Sequence, residues 1–193
     1  FLLFLDTIHN DKIHFSNPEE LDEFCLDGIE ILRYFKRKVG AYFSKQGWYL
    51  VGCEIPIVHS PLPNVYYNGS LDIVMYHEPT NKILIIDLKS STRSWGDKNK
   101  KDEMKLSQLR LYKKFFAEQY NFPIEDIEIE FLILKRKITE DSDYPEKRIQ
   151  SFIPAHGKGK IEKAYQLLEN FVEGAFDIHG NIKKGDFKKN ISP

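Results

Sequence analysis

Gly69-Ser-Leu-Asp-Ile-Val-Met-Tyr76 and Lys82-Ile-Leu-Ile-Ile-Asp-Leu-Lys-Ser90 are two apolar runs, each interrupted by one acid. Asp72 lies inside the first, and Asp87 ends the second, with Lys89 two residues beyond. Both runs read as strands. Ile83 to Ile86 is apolar on both faces, the pattern of a central strand covered on both sides. Side chains alternate along a strand, so Asp87 and Lys89 share one face and Leu88 takes the other. A carboxylate and an ammonium at the end of a buried strand are costly unless something compensates them.

The flanking sequence supplies the remaining elements. Glu78-Pro-Thr-Asn81 is turn-forming and makes the two runs a hairpin. Upstream, Trp48 to Val58 reads as a first strand carrying Glu54, followed by a turn at Ser60-Pro-Leu-Pro-Asn64. Before it, Asn17 caps and Pro18 opens a helix that continues to about Gln46, with Leu21, Phe24, Cys25, Ile29, Leu32, Phe35 and Val39 at helical spacing. Phe1 to Leu5 suggests a short strand. Downstream, a polar loop (90–101) leads to a helix over Asp102 to Tyr120, with Met104, Leu109, Tyr112, Phe115 and Phe116 toward the core. Glu128 to Lys135 is a fourth strand, parallel to its partner because it follows a helical crossover. An acidic loop (139–147), a fifth strand (Arg148 to Pro154), a helix (Lys160 to Phe176) and a lysine-rich tail complete the chain. His156-Gly-Lys-Gly-Lys160 is not a P-loop: Phe152 stands where the first glycine belongs, and no Ser or Thr follows Gly-Lys.

At 193 residues, 41% hydrophobic and 30% charged, the chain is expected to form one globular domain over 1–193, its core at about 20–176. The lead-in (1–18) and basic tail (177–193) flank that core. Phe1 to Leu5 is too short for a membrane span and lacks the flanks of a secretory signal, so no membrane partner is expected. Cys25 and Cys53 have no CxxC spacing and the histidines form no HxH or HExxH pair, which argues against zinc and an iron–sulfur cluster. Two lone cysteines suit a reducing cytoplasm. A net charge of −1 gives no global pull on nucleic acid, so any such binding is local. The local candidate is Lys89 to Lys105, with six Lys/Arg against three acids. There Arg93, Lys98, Lys100, Lys101 and Lys105 surround Trp95, a mixture that fits either a solvated loop or a surface that tracks phosphates and stacks bases.

A divalent cation bridged by Asp72 and Asp87, with Lys89 beside it, would compensate the buried charges and suits phosphodiester cleavage. The ordered set of strand Glu54, strand Asp72, Asp87-Leu-Lys89 and the helical Gln108-Leu-Arg-Leu-Tyr112 resembles the PD-(D/E)XK nuclease superfamily. Within it, the chain looks most like the RecB-like exonuclease branch, which includes phage recombination and mitochondrial genome-maintenance exonucleases. Gly69-Ser-Leu-Asp72 matches the Gly-x-Leu/Ile-Asp element, Ile86-Asp-Leu-Lys-Ser90 the Asp/Glu-x-Lys element, and Gln108 with Tyr112 the helical Gln-x-x-x-Tyr of that branch.

The resemblance implies an α/β, restriction-endonuclease-like αβββαβ core with a mixed central sheet flanked by helices. It implies Mg²⁺, with Mn²⁺ as substitute, held by Asp72, Asp87, Glu54 and the Leu88 backbone carbonyl, hard oxygen donors suited to those ions. Lys89 is implied to position the nucleophile or stabilise the transition state, and Gln108 and Tyr112 to contact DNA or brace the site. The implied activity is an exonuclease at single- or double-stranded DNA ends, working with other replication or recombination proteins. A structure-selective or site-specific endonuclease and a non-cleaving DNA-binding module stay open. The chain departs from some relatives in having no His after Gly28, where Glu30 stands nearby, and in lacking cluster-binding cysteines.

Overall fold

The first helix, α1 (Pro18–Arg37), starts as its sequence predicts: Asn17 Oδ1 accepts from the Glu20 amide at 2.8 Å, and the Glu20 carboxylate accepts the Asn17 N–H in return. The computed structural model describes residues 17–139 and 146–184. The expected strand at Phe1 to Leu5, most of the acidic loop and the end of the tail lie outside these residues. After α1 come strands β1 (Trp48–Leu62), β2 (Val65–His77) and β3 (Lys82–Ser91), helix α2 (Glu103–Gln119), strands β4 (Ile127–Lys135) and β5 (Ile149–Phe152), and helix α3 (Lys158–Ala175). This is the expected αβββαβ order with β5 and α3 added.

The five strands form one mixed sheet in the order β1-β2-β3-β4-β5. β3 and β4 run parallel, joined through α2, and the other neighbours are antiparallel. β3 is central and apolar on both faces, as its sequence requires. Ile83 and Ile85 join one core with Leu71, Val74, Ile129 and Ile133 under Leu109, Phe115 and Ala164 of α2 and α3. Ile86 and Leu84 face the opposite core, with Met75, Leu132 and Ile31 of α1. No helix among the described residues is long and apolar enough to cross a membrane.

Several local expectations need correction. The helix expected to reach Gln46 ends at Arg37, and a separate helical turn follows at Val39–Tyr42. α1 buries Asp27 and Ile31, whereas Leu26 and Leu32 are 63% and 69% exposed. β1 extends through Ser60 to Leu62, leaving only Pro63 and left-handed Asn64 in the turn. Met104, at the outer start of α2, is 81% exposed rather than core. The polar loop after β3 contains a helical turn at Asp97–Lys100.

β1 is an edge strand, and its free edge is blunted. Pro56 lacks an N–H, and Gln119 closes the edge like a short strand, accepting from the Val58 amide and donating to the Pro56 carbonyl, each at 3.0 Å.

Candidate active site

The β2–β3 ladder runs from His77 opposite Lys82 to Ile73 opposite Ile86, and then opens. At the opening stand Asp72 and Asp87, one on each strand. Asp72 Oδ2 accepts the Leu88 amide at 2.6 Å, taking the place of a strand carbonyl. The N–H and C=O of one strand residue leave on the same side, so the Leu88 carbonyl also faces Asp72.

Asp87 is buried, with 4% of its surface exposed. Lys89, on the same face, brings its ammonium to 2.9 Å from Asp87 Oδ2, the ion pair that this buried oxygen makes. Burial pushes the Asp87 carboxyl above its ordinary range; Lys89 opposes this and Asp72 adds to it. The same ammonium donates to Gln108 Oε1 at 3.3 Å, and Gln108 Nε2 donates to the Tyr112 hydroxyl at 2.9 Å. One turn of α2 therefore sets the reach of Lys89.

Gly69 completes this chain of contacts. A Cβ there would lie 2.6 Å from Cε1 of Tyr112, so the ring can rest on β2 only over a glycine. The glycine of Gly69-Ser-Leu-Asp72 and the tyrosine of Gln108-Leu-Arg-Leu-Tyr112 are thus two halves of one packing contact. Tyr112 is 5% exposed, and its hydroxyl accepts from Gln108.

Not every expected site residue converges. Glu54 sits in β1 with a left-handed backbone (φ 53°), and its carboxylate accepts from Ser70 Oγ at 2.7 Å. Among the described residues no three His, Cys, Asp or Glu side chains gather at one point. The acids that do come together are Asp72 and Asp87. Two carboxylates, one of them buried, are hard oxygen donors of the kind Mg²⁺ accepts.

Trp95 is a correction. It is 5% exposed, packed against Phe131 and Phe152 at centroid distances of 5.3 and 6.3 Å, so it cannot stack on a base. Its backbone N–H and C=O are both held by the Gln150 side-chain amide. The cations around it are unequally available. Arg93 and Lys98 are exposed. Lys101 pairs with Asp97 at 3.2 Å, and Lys100 lies over Phe152. Lys105 bonds Asn99, pairs with Asp102 and lies over Trp95.

No family model matches the chain, and no curated protein matches it in sequence. Among solved structures it is similar to a candidate exonuclease from Eubacterium rectale, at 13% identity and a TM-score of 0.43, over 75% of this chain and 49% of that one. It is also similar to SSO0001, at 15% identity and a TM-score of 0.39, over 80% of this chain and 61% of that one. The chain thus spans about half the length of the first and three-fifths of the second. At these values the likeness carries no argument about chemistry, which rests on the side chains themselves.

Proposed function

We propose that the protein is a Mg²⁺-dependent deoxyribonuclease of the RecB-like kind, an exonuclease acting at DNA ends in recombination, repair or replication. One observation carries this reading: Asp72 and Asp87 face each other where β2 and β3 part, with the Lys89 ammonium held between Asp87 and Gln108. Asp72, Asp87 and the Leu88 carbonyl are the residues that would hold the ion. When bound, Mg²⁺ neutralises charge on a phosphate and acidifies water. Lys89 is 29% exposed at its side chain, enough to meet a substrate oxygen. A fixed ammonium there stabilises the added negative charge of a pentacoordinate phosphorus more than that of the ground-state diester. Gln108 and Tyr112 keep the ammonium in place, so little reorganisation is needed during the reaction.

Glu54 favours a second reading. Its carboxylate is engaged with Ser70, which leaves a two-carboxylate site and suits a DNA-binding module that keeps the fold without cutting. End-labelled linear DNA and a covalently closed circle, each with Mg²⁺ or EDTA, separate the readings. Mg²⁺-dependent loss of the linear substrate alone is the expected result. Cutting of the circle would replace the exonuclease with an endonuclease, and binding without cutting of either would leave the module.

A further inference from the structure

We infer that Arg110, inside the Gln108-Leu-Arg-Leu-Tyr112 segment, is a positioning residue that fixes α2 along its own axis and so sets the reach of Gln108 to Lys89. Its effect on rate rests on the nuclease reading, whereas the contacts themselves are read without cleavage.

A guanidinium taken out of water needs partners, and Arg110 is 1% exposed. Its Nε donates to the Ala155 carbonyl at 3.0 Å and its Nη1 to Glu103 Oε2 at 2.6 Å, while the other Glu103 oxygen lies 3.6 Å from Lys160 of α3. One turn further along α2, buried Lys113 donates to His156 Nδ1 at 2.9 Å, and the second ring nitrogen lies 3.2 Å from Glu128 of β4. Two buried cations thus grip consecutive residues, Ala155 and His156, of the segment that joins β5 to α3. That segment is stiff, with φ fixed at buried Pro154. It also leaves the sheet from a defined row: Asp87 stands beside Phe131 on β4, and Phe131 beside Phe152, the last residue of β5. The anchor of α2 is therefore measured from the row that carries the buried acid.

Gln108 precedes Arg110 by two residues, a rotation of about 200° around the helix, so it points away from Ala155 and toward Lys89. Leu109, Phe115 and Phe116 pack α2 onto the sheet, but apolar contact is non-directional and resists lifting more than sliding. The hydrogen bonds of Arg110 are directional and oppose the slide. The link they protect has little slack. Lys89 reaches Gln108 Oε1 at 3.3 Å, already at the long end for a hydrogen bond, and a further shift of about 0.5 Å would break it. A misplacement of about 1 Å can cost about 100-fold in rate, so a partial shift at Lys89 is worth about tenfold.

The test is a double-mutant cycle of wild type, Arg110→Met, Gln108→Ala and the pair, with kcat measured on end-labelled linear DNA with Mg²⁺ and Kd in EDTA. Arg110→Met is expected to lower kcat about tenfold with Kd within about twofold of wild type. In the Gln108→Ala background it is expected to cost less than about twofold, because the residue it acts through is already gone. The side-chain amide resonances of Gln108, identified in ¹H–¹⁵N spectra by their absence from Gln108→Ala, are expected to move in Arg110→Met without DNA or metal. An unchanged kcat, a tenfold cost that persists in the Gln108→Ala background, or unmoved Gln108 resonances overturns the inference and leaves the nuclease reading standing. No cleavage by wild type overturns the nuclease reading, and the Gln108 resonances then decide the positioning role alone. If Arg110→Met does not fold, Glu103→Gln, at the exposed end of the same contact, goes through the same cycle with a loss of about threefold expected.

Discussion

Replacing Asp87 by Asn should stabilise the metal-free protein at neutral pH. The carboxyl is 4% exposed, and its Oδ2 is met by the Lys89 ammonium at 2.9 Å. Its titration is raised, by burial first, so folding disfavours the ionised form. For an acid this means that wild-type stability falls as pH rises from the unfolded value, near 3.9, through the raised folded one, and the full cost is present at pH 7. Asn removes the cost of desolvating that charge, about 1–3 kcal/mol even for a neutral polar group. It also removes the attraction to Lys89, at most about 1 kcal/mol for a partly exposed pair. Lys89 keeps Gln108 and solvent. The net gain is about 1 kcal/mol, or about 2–4 °C in Tm for a domain of this size. Thermal melts by circular dichroism in EDTA should show Asp87→Asn above wild type at pH 7, with the gap closing toward pH 4. With Mg²⁺ at about 100 times Kd the wild type gains about 2.7 kcal/mol that the variant cannot, and the order reverses. A variant that melts below wild type in EDTA would refute the reasoning, because Asp87 would then be a structural carboxylate and not one held ready for a cation.

Gly69→Ala drives a methyl to 2.6 Å from the Tyr112 ring and should cost about 1–3 kcal/mol in urea unfolding. The loss should shrink in a Tyr112→Ala background; an undiminished loss would place the strain elsewhere. Gln108→Ala frees the Lys89 ammonium and should lower kcat about 10- to 100-fold with DNA affinity nearly unchanged. Tyr112→Phe should act in the same direction but less, and equal effects on kcat and Kd would make Gln108 a DNA contact instead. His156 accepts from the Lys113 ammonium at 2.9 Å and lies 3.2 Å from Glu128, which also faces Lys82 at 3.5 Å. Burial first, then Lys113, pushes its titration below the ordinary value, with Glu128 opposing. Its neutral form is therefore the stable one, and stability should fall as pH drops from about 6.5 through the lower folded value. His59 titrates in the same direction, so His156→Gln should flatten the decline in Tm between pH 7 and 5 without abolishing it. Identical declines would show that His156 does not contribute.

What could be read from the chain follows from how local each signal is. The pairing of Asp72 with Asp87 was legible because a short turn joins two apolar runs, and hairpin register carries one acid opposite the other. Lys89 sharing the face of Asp87 follows from strand alternation alone. The parallel partnership of β3 and β4 follows from the intervening helix. Trp95 misled because a loop aromatic looks the same whether it faces solvent or plugs a core. Its burial depends on Gln150 and Phe152, which lie far along the chain. For Glu54, strand register places it opposite Asp72, but its left-handed backbone and its bond from the Ser70 hydroxyl have no signal in the strand pattern. Gly69 and Tyr112 were each noticed as parts of separate motifs, but their mutual contact needed the helix docked on the sheet.

The most direct test of the central claim is single-turnover cleavage of end-labelled linear DNA with Mg²⁺ by wild type and Lys89→Ala, with binding of both measured in EDTA. The account predicts Mg²⁺-dependent release of nucleotides by wild type, at least a hundredfold slower release by Lys89→Ala, and similar binding by both. Undiminished cleavage by Lys89→Ala would contradict it and move the chemistry, if any, away from the end of β3.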